Sequence, residues 1–307
     1  MADSRSYVLI SPCRNEEDYM RRTLDSVVAQ TILPTHWVIV DDGSTDATPA
    51  ILEEYAEKYD WIRVIAKPDR GHRAVGPGVI EAFYAGYDQI NPDDYTYLCK
   101  LDLDLDLPHG YFEELIKRME ADPRIASCSG KAYFRNAKDQ LQSENISDDM
   151  SLGMTKFYRV SAFKAIGGFV HEVMWDGIDC HKARMLGWKA VSWDTPNLRF
   201  DHLRPMGSSQ DNVLTGRRRH GFGQYYMGTG ILFLLASAVN KMRQKPYVLG
   251  GLAIVQGYFN AMLHGTERHG DKDLRHFIRR YQWRALLVGK ARAVAEVEKN
   301  RAPLWGP

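Results

Sequence analysis

Along the first 130 residues, short apolar runs alternate with segments whose apolar side chains recur every three or four positions. Residues 7–11 form an apolar run closed by Pro12, which predicts a strand ending at a turn. Residues 17–30 place Met20, Leu24, Val27 and Val28 on one helical face. A second strand is predicted at 37–40. A helix through Leu52, Tyr55 and Tyr59 follows, with Ser44, Thr45 and Asp46 as its capping chemistry. The same reading predicts strands at 62–66, 95–101 and 125–129, and helices at 79–87 and 110–121. Strands that alternate with helices imply an α/β fold with a mostly parallel sheet covered on both faces. In such folds ligands bind outside the carboxyl ends of the strands. The loops at 12–17, 41–46 and 102–108 are therefore the informative ones.

Composition narrows the class. With 307 residues, 26% charged and 44% hydrophobic, the chain is neither a disordered, a collagenous nor a polytopic membrane sequence. Forty basic and 39 acidic residues leave a net charge of +1, so no global field attracts nucleic acid. The four cysteines, Cys13, Cys99, Cys128 and Cys180, form no CxxC pair and are expected to be reduced, buried and cytosolic. The first residues have no signal-peptide pattern.

Each informative loop is polar where a strand ends. Asp41-Asp42-Gly43-Ser44 reads either as a turn with a helix cap or as carboxylates that bond a nucleoside's base or ribose. In Asp102-Leu103-Asp104-Leu105-Asp106, strand alternation puts three carboxylates on one face and the leucines on the other. Such like charges repel unless a cation joins them, so a hard divalent metal is expected; the alternative is an edge strand that carries charge. In the segment 69–73, Arg73 is the candidate for anion contact, against a solvated surface loop.

Taken in order, the PCRNEE, VIVDDGSTDAT, KLDLDLDLP and GGF…WDGID…GW segments resemble family 2 glycosyltransferases of the GT-A fold over residues 6–205. The resemblance implies a non-processive enzyme of the kind used in bacterial surface polysaccharide assembly. It implies that Pro12, Arg14, Asn15 and Glu16 line the nucleotide site, and that Asp42, with Asp41 beside it, meets the base. Asp102-Leu103-Asp104 matches the DXD motif that holds Mn²⁺ or Mg²⁺ on the donor diphosphate, and His202 matches a further metal ligand. Asp176 matches the general base of inverting members, with Asp179, one turn on, as runner-up. Helix-capping is the plain alternative for Asp176. A QxxRW signature of processive relatives is missing from the expected region, which implies transfer of a single sugar.

The last third differs. Between Thr215 and Glu267 there is no acidic residue. Arg217, Arg218, Arg219 and His220, among glycines, are expected to form a mobile lid over the diphosphate, with Arg217, Arg219 and His220 as its contacts. Docking on anionic headgroups and a plain exposed charge run are the alternatives. The apolar stretches 231–239 and 247–263 are too short or too polar to span a bilayer. They suit in-plane association with a membrane surface, or a buried helical hairpin. The expected layout is a catalytic domain at 1–205, its nucleotide-sugar half about 1–107 and its acceptor half about 108–205. A helical appendage follows at 206–307. The expected partners are a nucleotide-sugar, with a UDP-sugar favoured, a glycan or lipid-linked acceptor, and the cytoplasmic face of the plasma membrane; no nucleic acid is expected. A sugar-nucleotide pyrophosphorylase and a non-catalytic scaffold or sugar-binding subunit of a glycan-assembly complex are the rival classes.

Overall fold

The computed structural model describes residues 4–72, 76–136, 138–204, 212–243 and 245–306. They fall into two compact units: Met1–His171 with Lys189–Pro205, and Glu172–Trp188 with Met206–Gly306.

The first unit is built on strands β1 (Tyr7–Cys13), β2 (His36–Asp41), β3 (Ile62–Ala66) and β4 (Tyr97–Leu101). They pair in parallel in the order β4-β1-β2-β3. The sheet continues beyond β4 through β9 (Thr155–Arg159), β6 (Ile125–Ser129) and β10 (Lys189–Ser192), and only β9 runs antiparallel to its neighbours. Alternation sorts the side chains. Tyr7, Leu9, Trp37, Ile39, Cys99 and Phe157 enter one core with residues of α1 (Met20–Val28) and α4 (Tyr111–Ala121). On the other face α3 (Pro77–Tyr87) packs on β1 and β2. Its Gly86 lets the helix sit close: a Cβ there would lie 2.9 Å from Ile10 Cγ2 and 3.0 Å from Val40 Cγ2. Phe83, Phe163 and Phe169 extend this face as edge-to-face pairs 4.9–6.0 Å apart. The expected mostly parallel, doubly covered α/β sheet is what the structure contains.

Three local features depart from the periodicity. Strand β1 continues through Pro12, which pairs with Val40, and ends at Cys13. The fourth strand stops at Leu101 rather than carrying the aspartates on one regular face. The chain bends there and resumes as β5 (Leu105–Asp106) in a second sheet, of order β5-β11-β7-β8, where β7 is Lys131–Arg135, β8 is Leu141–Ser143 and β11 is Arg199–His202. The leucine half of the expectation stands: Leu101, Leu103, Leu105 and Leu107 are all core residues. The second sheet consists of short, polar strands with no periodicity to announce them.

The second unit is helical. It comprises α6 (Trp175–Met185), α7 (Val213–Tyr226), α8 (Ile231–Lys241), α9 (Val248–Leu263), α10 (Lys272–Val288) and α11 (Lys290–Arg301). The segment expected to be a mobile cationic lid is the regular helix α7, packed along α9. Glycines make that contact possible. A Cβ at Gly221 would lie 1.9 Å from the Ile254 carbonyl oxygen, and one at Gly257 2.0 Å from that of Arg218. Helix α6 belongs to this unit through its contacts with α10 and α11. His181 meets Tyr281 ring to ring at 5.2 Å, and Arg184 pairs with Glu298 at 3.2 Å. Among the described residues no helix is long and apolar enough to cross a membrane.

Candidate functional site

Parallel register brings the strand ends of the first unit together. Cys13 lies beside Asp41, and Asp41 beside Ala66, so the loops after β1, β2 and β3 emerge at one edge. The loop after β4 leaves the same edge, because β4 runs parallel to β1. Three of these loops are clasped by hydrogen bonds. Asn15, at φ 52°, accepts from the Thr45 N–H at 2.8 Å, and its own N–H donates to Ser44 Oγ at 2.9 Å. Asparagine tolerates this left-handed backbone better than most residues. The Glu16 N–H donates to Thr48 Oγ1 at 2.8 Å. Buried Arg14 donates to the Asp42 carbonyl and to Asp69 Oδ1, each at 2.5 Å.

The two neighbouring aspartates of the second loop have different tasks. Asp41 accepts from the Ser44 N–H at 2.9 Å and shapes the turn. The Asp42 carboxylate is buried and meets Arg70 at 2.6 Å and Lys67 at 3.1 Å. Thus Arg70 is the described cation of the 69–73 segment that reaches this loop; Arg73 lies outside the described residues. Pro12 ends the sheet beside this edge, still paired with Val40.

The aspartate run is resolved residue by residue. Asp102 is held by Lys100, a buried lysine on β4. Burial pushes the Asp102 carboxyl above its ordinary range, and neighbouring Asp104 adds to the rise against the opposing pull of Lys100. Leu103 sends its side chain into the core, so only its backbone remains at the site edge. Asp106 pairs with Arg22 at 2.5 Å. Asp104 lies at the centre of a buried ionic chain. Arg204 donates to Asp104 Oδ2 at 2.9 Å and to Glu16 Oε1 at 2.9 Å. His202 Nε2 is 3.6 Å from Asp104 Oδ2, and its Nδ1 is 2.8 Å from Glu144 Oε1. Burial alone would raise the Asp104 carboxyl, but His202 and Arg204 outweigh it and hold it below the usual range. Burial likewise opposes a charged His202, yet Asp104 and Glu144 raise it to about 9. Neither Arg204 nor Glu144 stands out in the sequence. Arg204 is two residues past His202 in FDHLRP, and Glu144 follows a short polar strand.

Among the described residues no group of three or more His, Cys, Asp or Glu side chains already converges to hold a metal ion; the feature open to one is a single oxygen. Asp104 Oδ1 is buried and makes no hydrogen bond among the described residues, which leaves an oxygen donor open to a ligand. Asp102 is engaged by Lys100, and His202 by Asp104 and Glu144. A ligating histidine must be neutral, so a cation at His202 would have to replace its proton.

In the second unit, Asp176 lies in the first turn of α6, partly exposed. Asp179 is buried on the same helix and accepts from the Cys180 N–H at 2.6 Å. Arg217, Arg219 and His220 lie on α7. Burial, with Lys241 and Arg217 nearby, lowers His220 to about 4, and the Gln224 amide nitrogen lies 2.8 Å from its Nε2. A neutral His220 cannot provide the positive charge expected of a diphosphate contact. Burial also lowers Arg219.

Comparison with known proteins adds the following. The sequence profile described as Glycosyl transferase family 2 matches residues 8–175. The chain is 29% identical over 144 residues to the uncharacterized glycosyltransferase YibD of Escherichia coli, covering 47% of this chain and 39% of that protein. It is 28% identical over 130 residues to a poly-beta-1,6-N-acetyl-D-glucosamine synthase of Staphylococcus aureus, covering 42% of this chain and 29% of that protein. The matched stretch thus spans about a third of the length of these relatives. Among solved structures, GalNAc-T7 with UDP, GalNAc and Mn²⁺ is similar at a TM-score of 0.56 and 13% identity, covering 86% of this chain and 55% of that one. The mannosyltransferase PcManGT of Pyrobaculum calidifontis, in complex with GDP-Man and Mn²⁺, is similar at 0.50 and 16% identity, covering 97% and 86%. These likenesses concern the fold.

Proposed function

The chain belongs to glycosyl transferase family 2, and on that premise we propose that it moves a single sugar from a nucleotide-sugar to a glycan or lipid-linked acceptor, with inversion, in surface polysaccharide or glycoconjugate synthesis. The observation that carries the reading is the gathering of Arg14, Asp42 and the Asp102-Leu103-Asp104 run at one edge of the parallel sheet, with His202 beside Asp104.

In this reading Asp42 accepts hydrogen bonds from the base or ribose, and a UDP-sugar is the favoured donor. Lys67 and Arg70 already face Asp42, so they are placed to exchange that carboxylate for the donor's own anionic groups. Asp102, Asp104 and His202 would hold Mn²⁺ or Mg²⁺, which supplies positive charge against the departing diphosphate. Asp176 accepts the proton of the acceptor hydroxyl. The hydroxyl oxygen bonds to the anomeric carbon from the face opposite the diphosphate, whose bond to that carbon breaks. Membership of the family leaves the pyrophosphorylase alternative without support.

Calorimetry of the full chain against UDP, GDP, ADP and CDP, each with Mn²⁺, tests the donor half. One diphosphate is expected to bind in a Mn²⁺-dependent manner, and failure of all four sinks the reading. The acceptor half predicts that Asp176→Asn keeps nucleotide affinity within about twofold while its kcat falls by about 10²-fold or more, the scale of a lost general base.

Association with the cytoplasmic face of a membrane is part of the same proposal. Its support is the distribution of exposed apolar side chains. Among the exposed large hydrophobics of the described residues, Leu33, Val64 and Leu141 are the ones outside the helical unit; the rest lie on its helices and their connections.

A further inference from the structure

The helical unit contains a cleft of about 350 Å³, where the start of α8, the end of α9 and the middle of α10 meet. Its walls are apolar and open. Leu232, Trp283 and Leu286 line it, and each is at least 41% exposed. Two cations, Arg268 and Arg279, line it as well. Arg279 is braced by its Nε–H, which donates to the Gly228 carbonyl at 2.9 Å. Arg268 lies over the Tyr225 ring, 4.5 Å from its centroid. Both guanidinium groups are close enough to Tyr258, another lining residue, to favour its ionised form against the rise that burial imposes.

Glu267, Asp271 and Asp273 are near these arginines in the sequence, yet neither arginine forms an ion pair among the described residues. No carboxylate occurs in the sequence from Thr215 to Thr266, so α7, α8 and α9 contribute none. The polar side chains that could serve as acceptors are already engaged. Gln282 accepts from the Gly230 N–H at 3.2 Å and donates to Thr229 Oγ1 at 3.0 Å. Helix α8 also begins at this cleft with no side-chain cap, and the N–H groups of its first turn add to the positive end. Fixed cations beside exposed aliphatic and indole surface match a molecule that is anionic at one end and apolar along the rest. The volume lies at the small end for ligand sites, which suits one chain rather than two.

We propose that this cleft binds a single-chain lipid phosphate, with the phosphate at Arg268 and Arg279 and the first part of the chain against Leu232, Trp283 and Leu286. The site is argued from the helical unit alone and stands whether or not the sugar-transfer reading holds.

Calorimetry of the full chain with dodecyl phosphate below its micellar range is the direct test, with inorganic phosphate and dodecyl maltoside as head-only and tail-only probes. Dodecyl phosphate is expected to bind at least tenfold more tightly than either. Arg268→Gln/Arg279→Gln is expected to abolish that preference. Leu232→Glu, at an exposed position, is expected to weaken dodecyl phosphate by at least tenfold. Nucleotide binding with Mn²⁺ should be unchanged in both variants, which separates failure of this site from failure of the catalytic reading. Equal binding of dodecyl phosphate and dodecyl maltoside overturns the anion half, and equal binding of inorganic phosphate overturns the lipid half. Arginine-dependent uptake by phosphatidylglycerol vesicles, without arginine-dependent binding of dodecyl phosphate, assigns the cleft to a two-chain bilayer lipid and overturns the proposal.

Discussion

Asp102, Asp104 and Asp106 are spaced two apart and look equivalent in the sequence, yet each has a different counter-charge. Asp106 pairs with Arg22 at the surface, whereas Asp104 is buried between Arg204 and His202. Loss of a surface pair costs about 0–1 kcal/mol, so Asp106→Asn should melt near the wild type and keep its Mn²⁺-dependent nucleotide affinity. Asp104→Asn should lose that affinity by about tenfold or more, because it removes a donor of the proposed cation set. Calorimetry of the two variants side by side makes the comparison, and equal losses would contradict the assignment. Arg204 makes a separate point about stability. It bridges Glu16 and Asp104, both of them buried. Removing one partner of such a group leaves unpaired buried charge, so Arg204→Met should destabilise by about 3–5 kcal/mol in a denaturant titration. The carboxylates of this site were legible because acids at strand ends are conspicuous against apolar runs. Their partners were not, because Arg204 lies 188 residues from Glu16 and 100 from Asp104, and nothing local marks such a pairing.

Elements follow the same division. Strands β1 to β4 and β6 are apolar runs bounded by turns, and periodicity finds them within a few residues. Strands β7, β8 and β11 are short and polar, and they exist because neighbours supply their hydrogen bonds, as Phe200 opposite Ala132 and Phe134 opposite Gln142 illustrate. Helix α7 reads in the sequence as a mobile segment for a physical reason. Its glycines have low intrinsic preference, and the helix is held by close backbone approach to α9 rather than by an apolar stripe. The approach can be tested at Gly257. A methyl there meets backbone, not a movable side chain. Gly257→Ala should therefore destabilise the protein by several kcal/mol despite alanine's better helix propensity, whereas Gly216→Ala, with open space around it, should be neutral or stabilising. Melting temperatures of the two variants read this directly.

Across the whole molecule, the net charge of +1 conceals an excess of acids in the first unit and of bases in the second. The helical unit also contains two histidines, His220 and His269, whose burial lowers them from their ordinary value. A histidine lowered in the folded state binds its proton more weakly there than in the unfolded chain. Their contribution is therefore fully present above about pH 6.5, and it is lost as pH falls through that value toward about 4. Thermal melts from pH 6.5 to 4.5 should show a falling midpoint, less steep in His220→Asn.

The second unit also has a history in time. Its helix α6 is encoded between strands of the first unit, at Trp175–Met185, but its partners α10 and α11 lie far downstream at Lys272–Val288 and Lys290–Arg301. His181 and the Tyr281 ring it meets are 100 residues apart. At ribosomal speeds of about 5–20 residues per second, α6 emerges roughly 5–20 s before its packing surface exists. During that interval buried residues such as Trp175, Ile178 and Cys180 are exposed on the nascent chain. The first unit can complete its sheet in the meantime, because β10 and β11 follow α6 directly. Synthesis thus imposes an order, sheet before helices, that refolding of the finished chain from denaturant does not.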